Sequence, residues 1–215
     1  MPRILIASTV LNGMLGILVY LAGTEVHGNI SRRLMGPAKI MLFGDSITQC
    51  GGWKLCGFSS LEKQNCGEGG AGIERIAGTV RYHVMFKRPE IISIMAGTND
   101  APFDDVDYVA GVYLALLEEL KEQNGLRVIV WSTLPRSESR YTRFARKLNE
   151  RLRDYAATHP HVVYRDLWPA LTDGEVLRPE MTIDGVHLSS RAYGLWAQHL
   201  EKTLTELRRA RSSSR

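Results

Sequence analysis

The unbroken run Lys39-Ile40-Met41-Leu42-Phe43 passes directly into Gly44-Asp45-Ser46-Ile47-Thr48, and this junction constrains the fold more than any other stretch of the 215-residue chain. An apolar run with no polar alternation suits a strand buried on both faces, which is the habit of parallel sheets covered by helices. The Gly-Asp-Ser that follows reads as a tight turn into a helix. A serine at that turn stands at the carboxyl end of the sheet, where open α/β folds bind their ligands. Ser46 is therefore the candidate nucleophile; the competing reading of Asp45-Ser46 is a helix N-cap.

The same alternation continues downstream. Ile73, Ile76, Ala77, Val80 and Val84 fall at helical spacing over residues 73–86, and Glu90 to Met95 follows as a strand. Val109, Val112, Leu116 and Leu120 mark a helix over residues 106–123, which Asn124-Gly125 ends. Arg127-Val128-Ile129-Val130-Trp131 is the next strand. A helix over residues 139–157 buries Phe144, Leu148, Leu152 and Tyr155, residues 161–164 form another strand, and residues 188–207 a closing helix. This alternation predicts a parallel sheet covered on both faces, and the expected fold is a three-layer α/β/α, flavodoxin-like domain with a five-stranded parallel sheet, four of whose strands are the runs named here.

Two further stretches belong with Ser46. Met95-Ala96-Gly97-Thr98-Asn99-Asp100 ends the apolar run Ile91-Ile92-Ser93-Ile94, and Asp184-Gly185-Val186-His187-Leu188 lies near the end of the chain. A serine hydroxyl is a weak nucleophile until a base takes its proton, and imidazole chemistry suits that task near neutrality. His187 is the candidate base. Asp184, three residues earlier, is placed to hold the far ring nitrogen and fix the tautomer.

With these motifs the chain resembles an SGNH (GDSL-type) hydrolase. Gly44-Asp45-Ser46 matches the first block of that family, Gly97-Thr98-Asn99-Asp100 the third and Asp184-Gly185-Val186-His187 the last, over roughly residues 39–207. The second block falls at Gly67-Glu68-Gly69-Gly70-Ala71-Gly72, with Ala71 and Gly72 where Asp and Thr are usual. The resemblance implies an oxyanion hole of the Ser46 backbone N–H, the Gly70 backbone N–H and the Asn99 side-chain amide. It also implies ester hydrolysis through an acyl-serine, with no metal and no cofactor. With no lid or long apolar channel evident, the expected acyl group is short, such as acetyl, carried on a carbohydrate or envelope polymer. An O-acetyltransferase built on the same residues and a catalytically inactive glycan-binding module are the alternatives.

Several stretches have competing readings. Trp53, beside the nucleophile turn, is a candidate wall for an acyl group or sugar, or else packs under its loop. Gly67-x-Gly69-x-x-Gly72 also fits a dinucleotide fingerprint, but Ser59 to Cys66 is too polar to be the strong strand which that motif requires. Cys50, Cys56 and Cys66 permit one disulfide and leave one thiol over, with the pairing open. His159-Pro160-His161 reads as a loop pair and not a metal site.

The uncharged run of residues 4–23 is long enough to cross a bilayer, or serves as the apolar part of a cleaved signal peptide. The expected organisation is residues 1–23 as anchor or signal, 24–38 as linker, 39–207 as hydrolase domain and 208–215 as a basic tail, in an extracytoplasmic setting. The net charge of +4 sits at the two ends, since residues 39–207 carry 20 basic against 22 acidic side chains. That distribution favours contact of the ends with anionic lipid or polymer and gives no nucleic-acid-binding face to the body.

Overall fold

The computed structural model describes residues 39–51, 54–55, 63–102, 105–136 and 139–213. Its order is β1 (Ile40–Gly44), α1 (Ser46–Cys50), β2 (Lys63–Gly67), α2 (Ile73–Lys87), β3 (Ile91–Met95), α3 (Val106–Lys121), β4 (Arg127–Trp131), α4 (Ser139–Thr158), β5 (Val162–Arg165), α5 (Trp168–Leu171), a 3₁₀ turn (Pro179–Met181) and α6 (Ser190–Ser213). The strands form one sheet in the order β2-β1-β3-β4-β5, every pair parallel. This is the doubly wound flavodoxin-like arrangement.

The unalternating strands are explained by burial on both faces. Met41, Phe43, Ile92, Ile94, Val128 and Val130 point into a core shared with α2, α3 and α4. Ile40, Leu42, Met95, Ile129 and Trp131 point into a second core with α6, which contributes Ala192, Trp196, Leu200 and Leu204. Ser93, the one polar residue of β3, is buried because its Oγ accepts from the Trp131 indole N–H at 2.7 Å.

Two expectations need correction. The polar stretch ending at Cys66 does contain a strand, β2, with Lys63 opposite Ile40 and Gly67 opposite Gly44. It lies at the sheet edge and is half-buried throughout, so it needs no apolar run. Asn65 fixes it locally, donating to the Thr48 carbonyl and accepting from the Gly67 N–H. The closing helix also runs past Leu207 to Ser213, because Leu204 and Leu207 still pack on the core and Arg211 pairs with Glu90. Arg208, Arg209 and Arg211 are thus helical. Residues 4–23, Trp53 and Cys56 lie outside the described residues, and Cys50 and Cys66 are not bonded to each other.

The basic face of α4 is largely matched within the protein. Arg146 pairs with Glu175, Arg151 with Asp107 and Arg153 with Asp166, while Arg146 also lies over the Trp168 ring. His159 stacks on Tyr155 at 3.7 Å and bonds Glu118, and His161 bonds the Leu117 carbonyl. Both histidines are thereby held in structural contacts.

Candidate active site

Pairing of β1 between β2 and β3 sets Gly44 level with both Gly67 and Met95. The loops leaving these strands, residues 45–46, 68–72 and 96–100, therefore open together at the carboxyl end of the sheet. The gap between β1 and β3 is the switch point of the topology, where such folds form a cleft.

Ser46 begins α1 and is half-buried there. Asp45 supplies the N-cap, its Oδ1 accepting from the Ile47 N–H at 2.8 Å. The Tyr193 hydroxyl donates to the Ile47 carbonyl at 2.7 Å and ties the turn to α6. Glycine is required at 44, since a Cβ there would stand 2.1 Å from Thr48 Oγ1 and 2.5 Å from the Met95 carbonyl oxygen. Asp45 is buried with Oδ2 unpartnered among the described residues. Burial, reinforced by the Asp100 charge and opposed by the Ile47 N–H, raises its pKa to about 6.

His187 reaches Ser46 from 141 positions along the chain, with Nε2 3.0 Å from Ser46 Oγ. Its Nδ1 lies 2.7 Å from Asp184 Oδ2. An ionised carboxylate only accepts, so Nδ1 carries the proton and the neutral ring presents an acceptor Nε2 to the serine. Asp184 is shaped for this by its own loop: Oδ1 accepts from the backbone N–H groups of Val186 and His187 at 2.9 and 2.7 Å. The His187 ring bond, followed by these two backbone bonds, lowers the Asp184 pKa to about 2. Thr182 closes the loop by donating to the His187 carbonyl and accepting from the Gly185 N–H.

In the loop after β2, Gly70 has φ +75°, open to glycine, and its exposed backbone faces the same cavity as Asn99. One N–H of the Asn99 amide donates to the Ala71 carbonyl at 3.2 Å, which orients the group and leaves its second donor. The Ser46 N–H, first in its helix, has no helical carbonyl four residues back. Gly70 and Asn99 line one cavity, and Ser46 stands at the turn leaving the neighbouring strand β1.

The altered second block has a physical counterpart. Gly72 caps α2 without any side chain, and the Asp100 carboxylate does that work from the third block, taking the Ile73 N–H at 2.9 and 3.2 Å. A Cβ at 72 would come 2.7 Å from Asp100 Oδ1, so glycine makes room for the incoming acid. This also bears on the dinucleotide fingerprint. A strand does precede the glycines, contrary to the expectation, but the helix end that would hold a pyrophosphate already faces a carboxylate.

Sequence reasoning passed over Arg136, which lines a cavity with Gly70, Asn99 and Tyr141. The available signal was its place shortly after the carboxyl end of β4, the side on which this sheet carries its site. Among the described residues no group of three or more His, Cys, Asp or Glu is placed to hold a metal ion.

The sequence profile of the GDSL-like Lipase/Acylhydrolase family matches residues 42–195. Among solved structures, an inferred acylhydrolase of Bacteroides fragilis is 26% identical with a TM-score of 0.68, over 79% of this chain and 89% of its own. A GDSL-like lipase of Bacteroides thetaiotaomicron is 23% identical with a TM-score of 0.67, over 78% of this chain and 89% of its own. An acetyl xylan esterase is 20% identical with a TM-score of 0.62, over 76% of this chain and 98% of its own; these last two likenesses concern the fold. No curated protein sequence is a significant match to the chain.

Proposed function

The chain belongs to the GDSL-like lipase/acylhydrolase family, and from that premise we propose that it is a serine esterase working through an acyl-Ser46 intermediate. The observation that carries the reading is the relay from Ser46 Oγ to His187 Nε2 at 3.0 Å and from His187 Nδ1 to Asp184 Oδ2 at 2.7 Å. Ser46 Oγ attacks the ester carbonyl while His187 Nε2 takes its proton. The charge that develops on the carbonyl oxygen is met by the Ser46 and Gly70 N–H groups and the Asn99 amide. Collapse breaks the bond to the alcohol oxygen, which leaves with the proton from His187. Water then attacks the acyl-serine with the same base, and the acid departs.

A short acyl group is the preferred substrate. The cavity beside Gly70 and Asn99 is lined by Gly72, Asp100 and Arg136 as well, with only Pro102 and the Tyr141 ring as apolar surface for a long chain. That an acetyl xylan esterase shares the fold is in keeping with an acetylated carbohydrate as carrier. Hydrolysis of para-nitrophenyl esters from acetate to laurate by the full-length chain tests both points. Acetate should be favoured, and Ser46→Ala should lose roughly a thousandfold or more; faster turnover of laurate overturns the short-acyl assignment, and equal rates in both proteins overturn the serine mechanism.

An extracytoplasmic, membrane-held or secreted enzyme is the proposed setting, resting on the apolar run of residues 4–23. Among the described residues no helix is long and apolar enough to cross a membrane. Alkaline carbonate washing of membranes from expressing cells separates the forms: an anchored chain stays in the pellet, and a cleaved one appears in the soluble fraction shortened at its amino terminus.

A further inference from the structure

The ester-hydrolase reading leaves open what the substrate carries besides its ester, and the cavity beside Gly70 and Asn99 holds a cation that bears on this. Arg136 lines an open cavity of about 620 Å³ together with Gly70, Gly72, Asn99, Asp100, Pro102 and Tyr141. Its Nη1 donates to the Thr98 carbonyl at 3.4 Å, so the guanidinium stands one residue from the Asn99 amide. Its Cζ lies 5.0 Å from the centroid of the Tyr141 ring, a cation–π contact that fixes the plane of the fork. Tyr141 is itself buried and is engaged by Arg140, which lies over the ring and donates to its hydroxyl.

The backbone beneath Arg136 is firmly held. Asn149 grips Thr133 through both its N–H and its carbonyl, at 2.7 and 2.9 Å, and Thr133 Oγ1 donates to the Ala96 carbonyl at 2.6 Å. Thr142 donates to the Arg136 carbonyl at 3.4 Å. Arg136 is half-buried and, unlike Arg146, Arg151 and Arg153 on α4, forms no ion pair among the described residues. The acid in the same wall, Asp100, has both carboxylate oxygens on the Ile73 N–H. A guanidinium has five N–H donors in a planar fork, and one is used here on Thr98. The remainder suit a carboxylate or phosphate taken in bidentate fashion.

We propose that Arg136 binds an anionic group, a carboxylate or a phosphate, on the ester that Ser46 cleaves, making charge on the substrate a determinant of specificity. The inference rests on the esterase reading and narrows it to acidic esters. Arg136 acts on binding at a distance from the scissile bond, so its effect falls mainly on KM. A charge-assisted contact in a half-buried site corresponds to roughly ten- to a hundredfold in kcat/KM.

The test uses the full-length chain with charge-matched ester pairs. Para-nitrophenyl hemisuccinate against para-nitrophenyl butyrate places the carboxylate on the acyl side. 4-Acetoxybenzoate against its methyl ester places it on the alcohol side, and 4-acetoxyphenyl phosphate against its dimethyl ester replaces it with phosphate. Rates are normalised to spontaneous hydrolysis. The expected result is a wild-type preference of at least tenfold for the anionic member of one or more pairs, shrinking as salt is raised. Arg136→Ala should lower that preference at least tenfold through KM, and Arg136→Lys should retain part of it.

The pair that responds identifies which half of the ester carries the charge and whether carboxylate or phosphate is taken. No anionic preference in the wild type overturns the inference without needing a folded variant. Equal losses on charged and neutral esters in Arg136→Ala also overturn it, since a purely structural role would produce them. The parent reading fails separately, if Ser46→Ala hydrolyses these esters as fast as the wild type.

Discussion

Replacing Asp45 with asparagine should stabilise the protein at neutral pH and leave that gain absent in acid. Asp45 is 1% exposed, with one carboxylate oxygen on the Ile47 N–H and the other unpartnered among the described residues. Its pKa of about 6 lies above the ordinary 3.8 because burial disfavours the charged form. The folded protein therefore holds this proton more tightly than the unfolded chain does. Stability from this group is greatest below pH 3.8, falls as pH rises through the window from 3.8 to about 6, and is fully lost above it. The interval of roughly two pH units, at about 1.36 kcal/mol each, amounts to ~3 kcal/mol.

Asparagine keeps an oxygen for the Ile47 N–H and does not ionise, so Asp45→Asn removes this pH-dependent loss. Any cost of its unpartnered amide nitrogen is constant with pH. The depressed carboxylates, Asp184 at about 2 and Asp173, Glu118 and Glu119 in the same direction, act with opposite sign in more acid solution. They are common to both proteins and cancel in the difference. Urea unfolding of each protein between pH 3.5 and 8 should give a difference that is flat at the acid end, climbs by ~3 kcal/mol toward pH 7 and then levels. A difference that stays flat, or that favours asparagine more in acid than at neutrality, refutes the reasoning about Asp45.

Gly72→Ala drives a Cβ to within 2.7 Å of Asp100 Oδ1 and should unseat the carboxylate from the Ile73 N–H. The expected loss is ~1–2 kcal/mol, read as a lowered Tm; an unchanged Tm would remove Asp100 as the cap of α2. Asp184→Asn retains an acceptor for the backbone bonds but no longer holds the His187 proton on Nδ1, so kcat should fall by roughly 10³–10⁴-fold with little change in KM. A loss below tenfold would leave Asp184 as a loop-former alone.

The sheet was legible because β1, β3 and β4 must be apolar on both faces, and Leu42 and Phe43 show this as plainly in the sequence as in the structure. The positions of Ser46, Asp184 and His187 were legible for a related reason: each sits on a short turn whose residues also build the turn. Asp45 caps α1, and Asp184 takes the Val186 and His187 N–H groups. β2 was hidden because an edge strand is held by register and by Asn65, not by apolar content. The helical state of Arg208 to Arg211 was hidden because a run of arginines looks like a tail until Glu90 is known to lie opposite. Arg136 was missed because it is one of 27 basic residues, and its place shortly after β4 gains meaning only once it is seen to reach the Thr98 carbonyl. The substitution of Gly72 for a capping residue made sense only once Asp100 was seen to reach it.

The claim on which the functional account depends is that Ser46 becomes acylated with help from His187. Incubation of the full-length chain with a fluorophosphonate, followed by intact-mass and peptide mass spectrometry, tests it directly. One phosphonyl group should be added, on the peptide bearing Ser46, with labelling absent in Ser46→Ala and slowed at least a hundredfold in His187→Ala. Labelling at another residue, or at Ser46 with undiminished rate when His187 is gone, would contradict the account.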